Sequence, residues 1–298
     1  MADKKYIKSP MNYTGGKYKL LHQIEPLFPE NINLFVDLFT GGGNIAVNVK
    51  ANKIVANDCE ENIIGIYKTF QKYDNVDELI EQIEEIIKTY GLTIDNTEAY
   101  NQFRNDYNSL KTSQGNYPPS PLSSYNINIL LYVLICYSFN HQYRFNSKGE
   151  FNMPFGKERS QWNENMKNNL INFHQRIKEK DIVFLNKDFR QLKVDKLGID
   201  DFVYCDPPYL ITCATYNEKD GWNQECEEDL LKLLDELDTK KIKFALSNVL
   251  YSKGKTNDLL IGWSKKYNVH HLDYTYQNCN YHTKDKTNKS DEVLITNY

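Results

Sequence analysis

A doubly wound α/β sheet carrying a mainly helical insertion is the fold this sequence predicts, and two observations predict it. INLFVDLFTGGGN (32–44) followed by KIVAND (53–58) reads as strand, glycine turn, connection and strand, the opening unit of a mostly parallel sheet. The strand pattern then returns late, as DIVFLNKDF (181–189), DFVYCD (201–206), IKFALSN (242–248), VHHLDYTY (269–276) and EVLITNY (292–298), with helical stretches between several of these. The two ends of the chain therefore build one domain, 1–64 and 181–298, and residues 65–180 form an inserted domain. A chain of 298 residues is long enough for both.

Each element has a local reason. AVNVKAN (46–52) continues from the glycine turn as the expected start of a helix. Ile63, Ile66, Tyr67 and Phe70 repeat at helical spacing, as do Leu79, Ile83, Ile86, Ile87 and Tyr90, with Gly91 as a natural stop. TEAYNQFRNDYNSLK (97–111) is helical and places Tyr100, Arg104 and Asn108 on one face. TSQGNYPPSPLSS (112–124) is a loop by composition, and an apolar helix follows over 124–140. Within YRFNSKGEFNMPF (143–155), Tyr143, Phe145, Phe151, Met153 and Phe155 alternate around NSKG, the pattern of a β-hairpin.

Composition narrows the class. The longest apolar run, ILLYVLICY (129–137), has nine residues. That is far short of the roughly 20 needed to span a bilayer, so a buried helix and no membrane partner are expected. The leading MADKKYIKSP has no apolar stretch behind its charges. Six cysteines show no CxxC pair and no histidine-rich companion cluster, so free thiols in a reducing cytoplasm are expected rather than a zinc site or disulfide frame. His270 and His271 are adjacent in a strand and point to opposite faces, which disfavours a two-histidine metal site.

A net charge of −4 argues mildly against nucleic acid, but distribution matters more than the sum. The acids gather in DNVDELIEQIEE (74–85) and ECEEDLLKLLDELD (225–238), expected to be solvated helix faces. The bases gather in YRFNSKGEFNMPFGKER (143–159) and KDKTNK (284–289), two loops able to hold phosphates.

Chemistry concentrates where strands end. FTGGG (39–43) is neither a full GxGxxG nor a phosphate loop with GK[ST], yet glycines after a first strand let a ligand approach the backbone closely. Asp58 stands twenty-one residues beyond Asp37, at the end of the second strand, where a carboxylate can accept ribose hydroxyls. FVYCDPPYLI (202–211) then ends a strand with an acid, two prolines and a tyrosine. An exocyclic amine on a base is a poor nucleophile because its lone pair is delocalised into the ring. Asp206 and the Pro207 carbonyl can each accept one of its hydrogens, so the nitrogen pyramidalises and its lone pair can meet an electrophilic methyl. Proline stiffens the backbone that aims these acceptors. Tyr209 offers a face on which a base can stack, worth about 1–3 kcal/mol. Cys205 reads as a small buried hydrophobe, since attack by an amine needs no covalent thiol adduct.

With these residues in view, the chain resembles an N6-adenine DNA methyltransferase of the Dam type. NYTGGKYKLL (12–21), FVDLFTGGGN (35–44), VANDCEENIIGIY (55–67), YRFNSKGEFNMPFGK (143–157), FLNKDF, FVYCDPPY, FALSN and EVLITNY are similar to the family's motifs in order, nearly end to end. The resemblance implies a Rossmann-like, SAM-dependent methyltransferase fold and S-adenosylmethionine (SAM) as the cofactor, with no metal. It implies that Tyr13, Lys17, Asp37, Phe39 and Gly41 surround the methionine part of SAM, Asp58 its ribose, and Asp188 with Phe189 its adenine. Asp206, Pro207, Pro208 and Tyr209 would hold an adenine flipped from double-stranded DNA, possible targets including GATC. Arg144, Asn146, Lys148 and Lys157 of the hairpin would contact DNA, an arginine being suited to guanine, and Arg104 would lie near DNA or the cofactor pocket. A cognate restriction endonuclease is an implied partner. The tail NCNYHTKDKTNKSDE (278–292) departs from the Ser-, Gly- and Arg-rich segment usual there. Two alternatives accompany this reading: methyl transfer to RNA or to a protein glutamine, and a DNA-binding module that has lost catalysis. The glutamine enzymes usually carry Asn where Asp206 stands.

Overall fold

β-Branched and aromatic residues write the strands, and a parallel sheet collects them. In the computed structural model, which describes residues 6–112, 124–212, 221–273 and 290–298, the strands are β1 (Leu34–Asp37), β2 (Lys53–Asp58), β3 (Ile182–Asn186), β4 (Phe202–Cys205), β5 (Lys243–Ser252), β6 (Lys255–Thr256), β7 (Asn268–Leu272) and β8 (Asp291–Thr296). They form one sheet in the order β3-β2-β1-β4-β5-β8-β7, with β6 paired to β5. β1 to β5 run parallel, and β8 is antiparallel to both β5 and β7. The described helices are α1 (Leu21–Ile24), α2 (Glu61–Lys72), α3 (Val76–Tyr90), α4 (Thr97–Thr112), α5 (Ile127–Tyr137), α6 (Glu164–Glu179), α7 (Gln224–Thr239) and α8 (Asp258–Ser264).

The chain divides into two compact units. The sheet unit comprises Lys17–Thr40, Asn48–Cys59 and Lys180–Tyr298; the helical unit comprises Met1–Gly16, Gly41–Val47 and Glu60–Glu179.

In the sheet unit the central strands are apolar on both faces, as strands covered on both sides must be. One face packs Val36, Val203, Cys205, Phe244, Leu246, Val293 and Ile295 against Leu230, Leu234 and Leu237 of α7 and Leu260 of α8. On the other, Phe28, Phe35, Phe202 and Tyr204 form an aromatic cluster with centroids 4.9–6.4 Å apart. Strand order reverses between β1 and β4, which lie side by side with Asp37 opposite Tyr204. Ligands of such sheets bind outside the carboxyl ends at that reversal, so Asp37 and the segment after Cys205 are where chemistry is sought. β5 runs four residues beyond the expected strand, bulges between Val249 and Tyr251, and turns back through Gly254 (φ +81°) into β6. The expected strand 269–276 is observed to Leu272; its last three residues, the loop 113–123, the basic run 284–289, Cys213 and Cys279 lie outside the described residues.

In the helical unit, α3 ends as expected at Gly91 in the left-handed region (φ +61°). α5 begins on Asn126, whose side chain accepts from the Asn128 amide, and residues 129–137 are all buried. Phe70 meets Tyr132 edge-on at 5.1 Å, joining α2 to α5. The expected helix in AVNVKAN does not form. Residues 44–48 wind as consecutive turns, with the Val47 amide on the Gly43 carbonyl at 3.2 Å. A stretch this short, rich in Val and Asn, cannot repay helix nucleation. No described helix is long and apolar enough to cross a membrane.

Candidate active site

Four side chains converge where β4 ends. Lys17, the first residue of a short 3₁₀ turn (Lys17–Leu20), places its Nζ 2.9 Å from Asp206 Oδ1 and 3.5 Å from Glu292 Oε1. The Tyr209 hydroxyl lies 3.1 Å from Asp206 Oδ1 and 3.2 Å from Glu292 Oε1, so its one proton is shared between two carboxylates. Lys17 Nζ also stands over the Tyr209 ring, 4.9 Å from its centroid. One face of the expected stacking ring is thus covered by an ammonium, a cation–π contact. Resemblance puts Lys17 with the cofactor's methionine; within the sheet unit its partners include Asp206, Glu292 and Tyr209.

Burial sets the electrostatics here. Desolvation raises the Asp206 pKa above the ordinary aspartate value, only partly offset by Lys17, and Glu292 adds to the rise. Burial alone would lower the Lys17 pKa, but the two carboxylates more than compensate and it is raised, so the ammonium stays charged. The Cys205 thiol is fully buried and pushed well up, which removes it as a nucleophile.

One strand over, buried Asp37 ends β1 and its Oδ2 accepts from the Thr40 hydroxyl at 3.1 Å. Asn57 braces this exit by donating to the carbonyls of Leu38 (3.0 Å) and Lys187 (2.9 Å). Asp58 is buried at the end of β2, its carbonyl accepting from Asn186 at 2.9 Å. Phe39, Phe189 and Trp222 form a triad with centroids 5.4–5.6 Å apart. Trp222 is held by Glu227, whose Oε2 accepts the indole N–H at 2.6 Å while its Oε1 accepts from Asn248 and Asn257. Glu227 lies in the acidic run expected to be solvated. It is instead fully buried, because three donors replace its water. Asp188 is half-exposed; it caps the turn Phe189–Gln191 through the Arg190 amide and pairs with the Arg190 guanidinium at 3.1 Å. Buried carboxylates at two strand ends, with an aromatic cluster beside them, suit the hydroxyls, ammonium and purine of a nucleoside-type cofactor.

In the helical unit, the glycine loop embraces Tyr13. Gly41 has φ +43°, and a Cβ there would sit 2.9 Å from the Tyr13 ring. The close approach those glycines permit is therefore occupied by this chain's own tyrosine. The Tyr67 hydroxyl donates to the Gly41 carbonyl at 2.8 Å and fixes the loop.

The expected hairpin exists, pinned by a single bridge between Phe145 and Phe151 rather than by regular strands. Asn146 builds its turn: Oδ1 accepts from the amides of Lys148 and Glu150, and Nδ2 donates to Glu150. The Arg144 guanidinium reaches across to the side chain and carbonyl of Asn152. Lys148 and Lys157 are exposed. Arg104 is not a surface pair of its own helix. It donates to the Met153 carbonyl at 3.0 Å beside the Tyr100 hydroxyl, and Asn108 takes both the amide and the carbonyl of Phe151.

Residues 13–278 match the family described as D12 class N6 adenine-specific DNA methyltransferase. The chain is 48% identical over 297 residues to the Type II methyltransferase M.FokI of Planomicrobium okeanokoites, covering 98% of this chain and 43% of that one. It is also 48% identical over 303 residues to the modification methylase StsI of Streptococcus sanguinis, covering 100% and 44%. A DNA adenine methylase of Haemophilus influenzae is 28% identical over 245 residues, covering 80% and 78%. The chain spans less than half the length of the first two.

Proposed function

The chain belongs to the D12 class of N6 adenine-specific DNA methyltransferases, and from that premise we propose that it methylates N6 of an adenine in double-stranded DNA, using SAM. SAM, when bound, supplies an electrophilic methyl on a sulfonium. Asp37, Phe39, Asp58, Asp188 and Phe189 would hold it, with Tyr13, Lys17 and Gly41 completing the set the family resemblance implies. Trp222 and Glu227 join that set as the support of the aromatic cluster.

Asp206 accepts one hydrogen of the target amine, and the rigid Pro207–Pro208 segment aims a backbone carbonyl at the other. The nitrogen gains a methyl and loses a proton, and an ionised Asp206 favours that loss. Tyr209 contributes its ring to the base and its hydroxyl to Asp206. Lys148 and Lys157 would bind phosphates, Arg144 would reach a base edge, and Asn146 and Arg104 would act by shaping and holding the hairpin. A site in duplex DNA such as GATC, a cognate endonuclease and a cytoplasmic setting complete the proposal.

The observation that carries it is Asp206 itself: a mostly buried carboxylate at the reversal of strand order, raised in pKa and held by an ammonium and a phenol. Labelled methyl transfer from SAM tests it, with unmethylated duplex DNA, RNA and protein offered in parallel. Label in N6-methyladenine of duplex DNA is expected. Label confined to RNA or glutamine, or none at all, would overturn the proposal.

A further inference from the structure

Two carboxylates share one ammonium and one phenol at the carboxyl end of the sheet, and only one of them reaches solvent. The Asp206 side chain is 17% exposed, against 4% for Lys17 and 2% for Glu292. An incoming amine can therefore approach Asp206 and cannot approach Glu292. Yet Asp206 Oδ1 is already engaged by Lys17 at 2.9 Å and by the Tyr209 hydroxyl at 3.1 Å, and an ammonium this deeply buried cannot be left without a counter-charge.

We propose that Glu292 is the positioning residue that releases Asp206: Lys17 and the Tyr209 hydroxyl shift onto Glu292 when the target amine takes the Asp206 carboxylate. The inference rests on Asp206 being the acceptor for that amine. Distances support the exchange, because both donors already lie within 3.5 Å of Glu292 and need only small movements. Topology explains how the acid comes to be there. β8 runs antiparallel to β5, so its first residues lie beside the outgoing end of β5, with Glu292 opposite Val249. Val293 and Ile295 fill the apolar core, so alternation turns Glu292 to the other face. A carboxylate at a fully buried strand position has no packing role that an apolar residue would not fill better.

Glu292→Gln keeps the shape and removes the charge, so the Lys17 ammonium is drawn more strongly to Asp206. At saturating SAM, kcat for methyl transfer to unmethylated plasmid DNA is expected to fall about 100-fold, with SAM affinity by calorimetry within about threefold of the parent. Adding Lys17→Met to Glu292→Gln should raise kcat at least about tenfold over the single variant, because Asp206 is no longer held. A merely structural glutamate would give losses that multiply instead, and that result would overturn the inference. Parental kcat in Glu292→Gln would overturn it too, while the parent's own transfer in the same assay leaves the methyltransferase proposal standing. A parent that transfers nothing sinks that proposal and this inference together. Should Glu292→Gln fail to fold, Lys17→Met is compared with the double variant. Equal turnover supports the exchange, and a further loss of about 100-fold refutes it.

Discussion

Asp206 is the stronger acceptor for an amino hydrogen when ionised, and its burial works against ionisation. Its pKa is raised, chiefly by desolvation. A carboxylate raised in the folded state binds its proton more tightly there than in the unfolded chain. The stability it contributes is therefore present at low pH and lost as pH rises through the folded value, while activity has the opposite dependence. The acid limb of kcat/KM is expected above the ordinary aspartate value of 3.8; a pH profile with its limb at or below that value would contradict the environment described. Tyr209→Phe keeps the ring and removes the shared hydroxyl, so a loss of about tenfold in kcat is expected, and Tyr209→Ala should lose considerably more. Steady-state kinetics of the two variants separate ring from hydroxyl. The place of DPPY, directly after the end of β4, was legible from strand-ending residues alone. Glu292 was not: EVLITNY reads locally as a buried strand, and what makes its glutamate meaningful is an antiparallel neighbour some forty residues back in β5. Glu227 was misread for a related reason, since the partners that bury it, Trp222, Asn248 and Asn257, all lie outside its own helix.

One helix face in the insertion shows what periodicity reveals and what it withholds. Tyr100, Arg104 and Asn108 lie in line on α4, as their spacing requires, but their targets are the backbone groups of Phe151 and Met153. α4 thus supplies hydrogen bonds that the hairpin, with its single bridge, does not make for itself. Asn108→Ala removes two of them and leaves a buried amide without its partner. A destabilisation of about 1–3 kcal/mol is expected, together with faster hydrogen exchange at the Phe151 amide. Unchanged exchange there would mean that the hairpin holds its shape without α4. α6 was readable and not read: Met166, Leu170, Phe173 and Ile177 repeat at helical spacing and are all buried. The opposite error, a helix expected at 46–52, came from an apolar run too short to continue past its first turn.

Across the chain, charge is partitioned rather than balanced. Net charge is −4, yet the hairpin tip presents Lys148 to solvent, with Lys157 exposed a few residues on. Lys148→Ala is expected to weaken duplex binding uniformly across sequences and to reduce the slope of log K against log salt by about 1. An unchanged slope would remove this residue from the phosphate contacts. The sheet and its order of motifs were legible because a parallel sheet needs long apolar runs ending in turn chemistry. What a single sequence lacks is the pairing of β8 with β5 and of β7 with β8, which no local pattern encodes. The role of Asp206 is decided by comparing Asp206→Ala with the parent for turnover on duplex DNA and, by calorimetry, for SAM affinity. Turnover should fall about 1,000-fold with SAM affinity nearly unchanged; an equal loss of both would contradict Asp206 as the acceptor of the target amine.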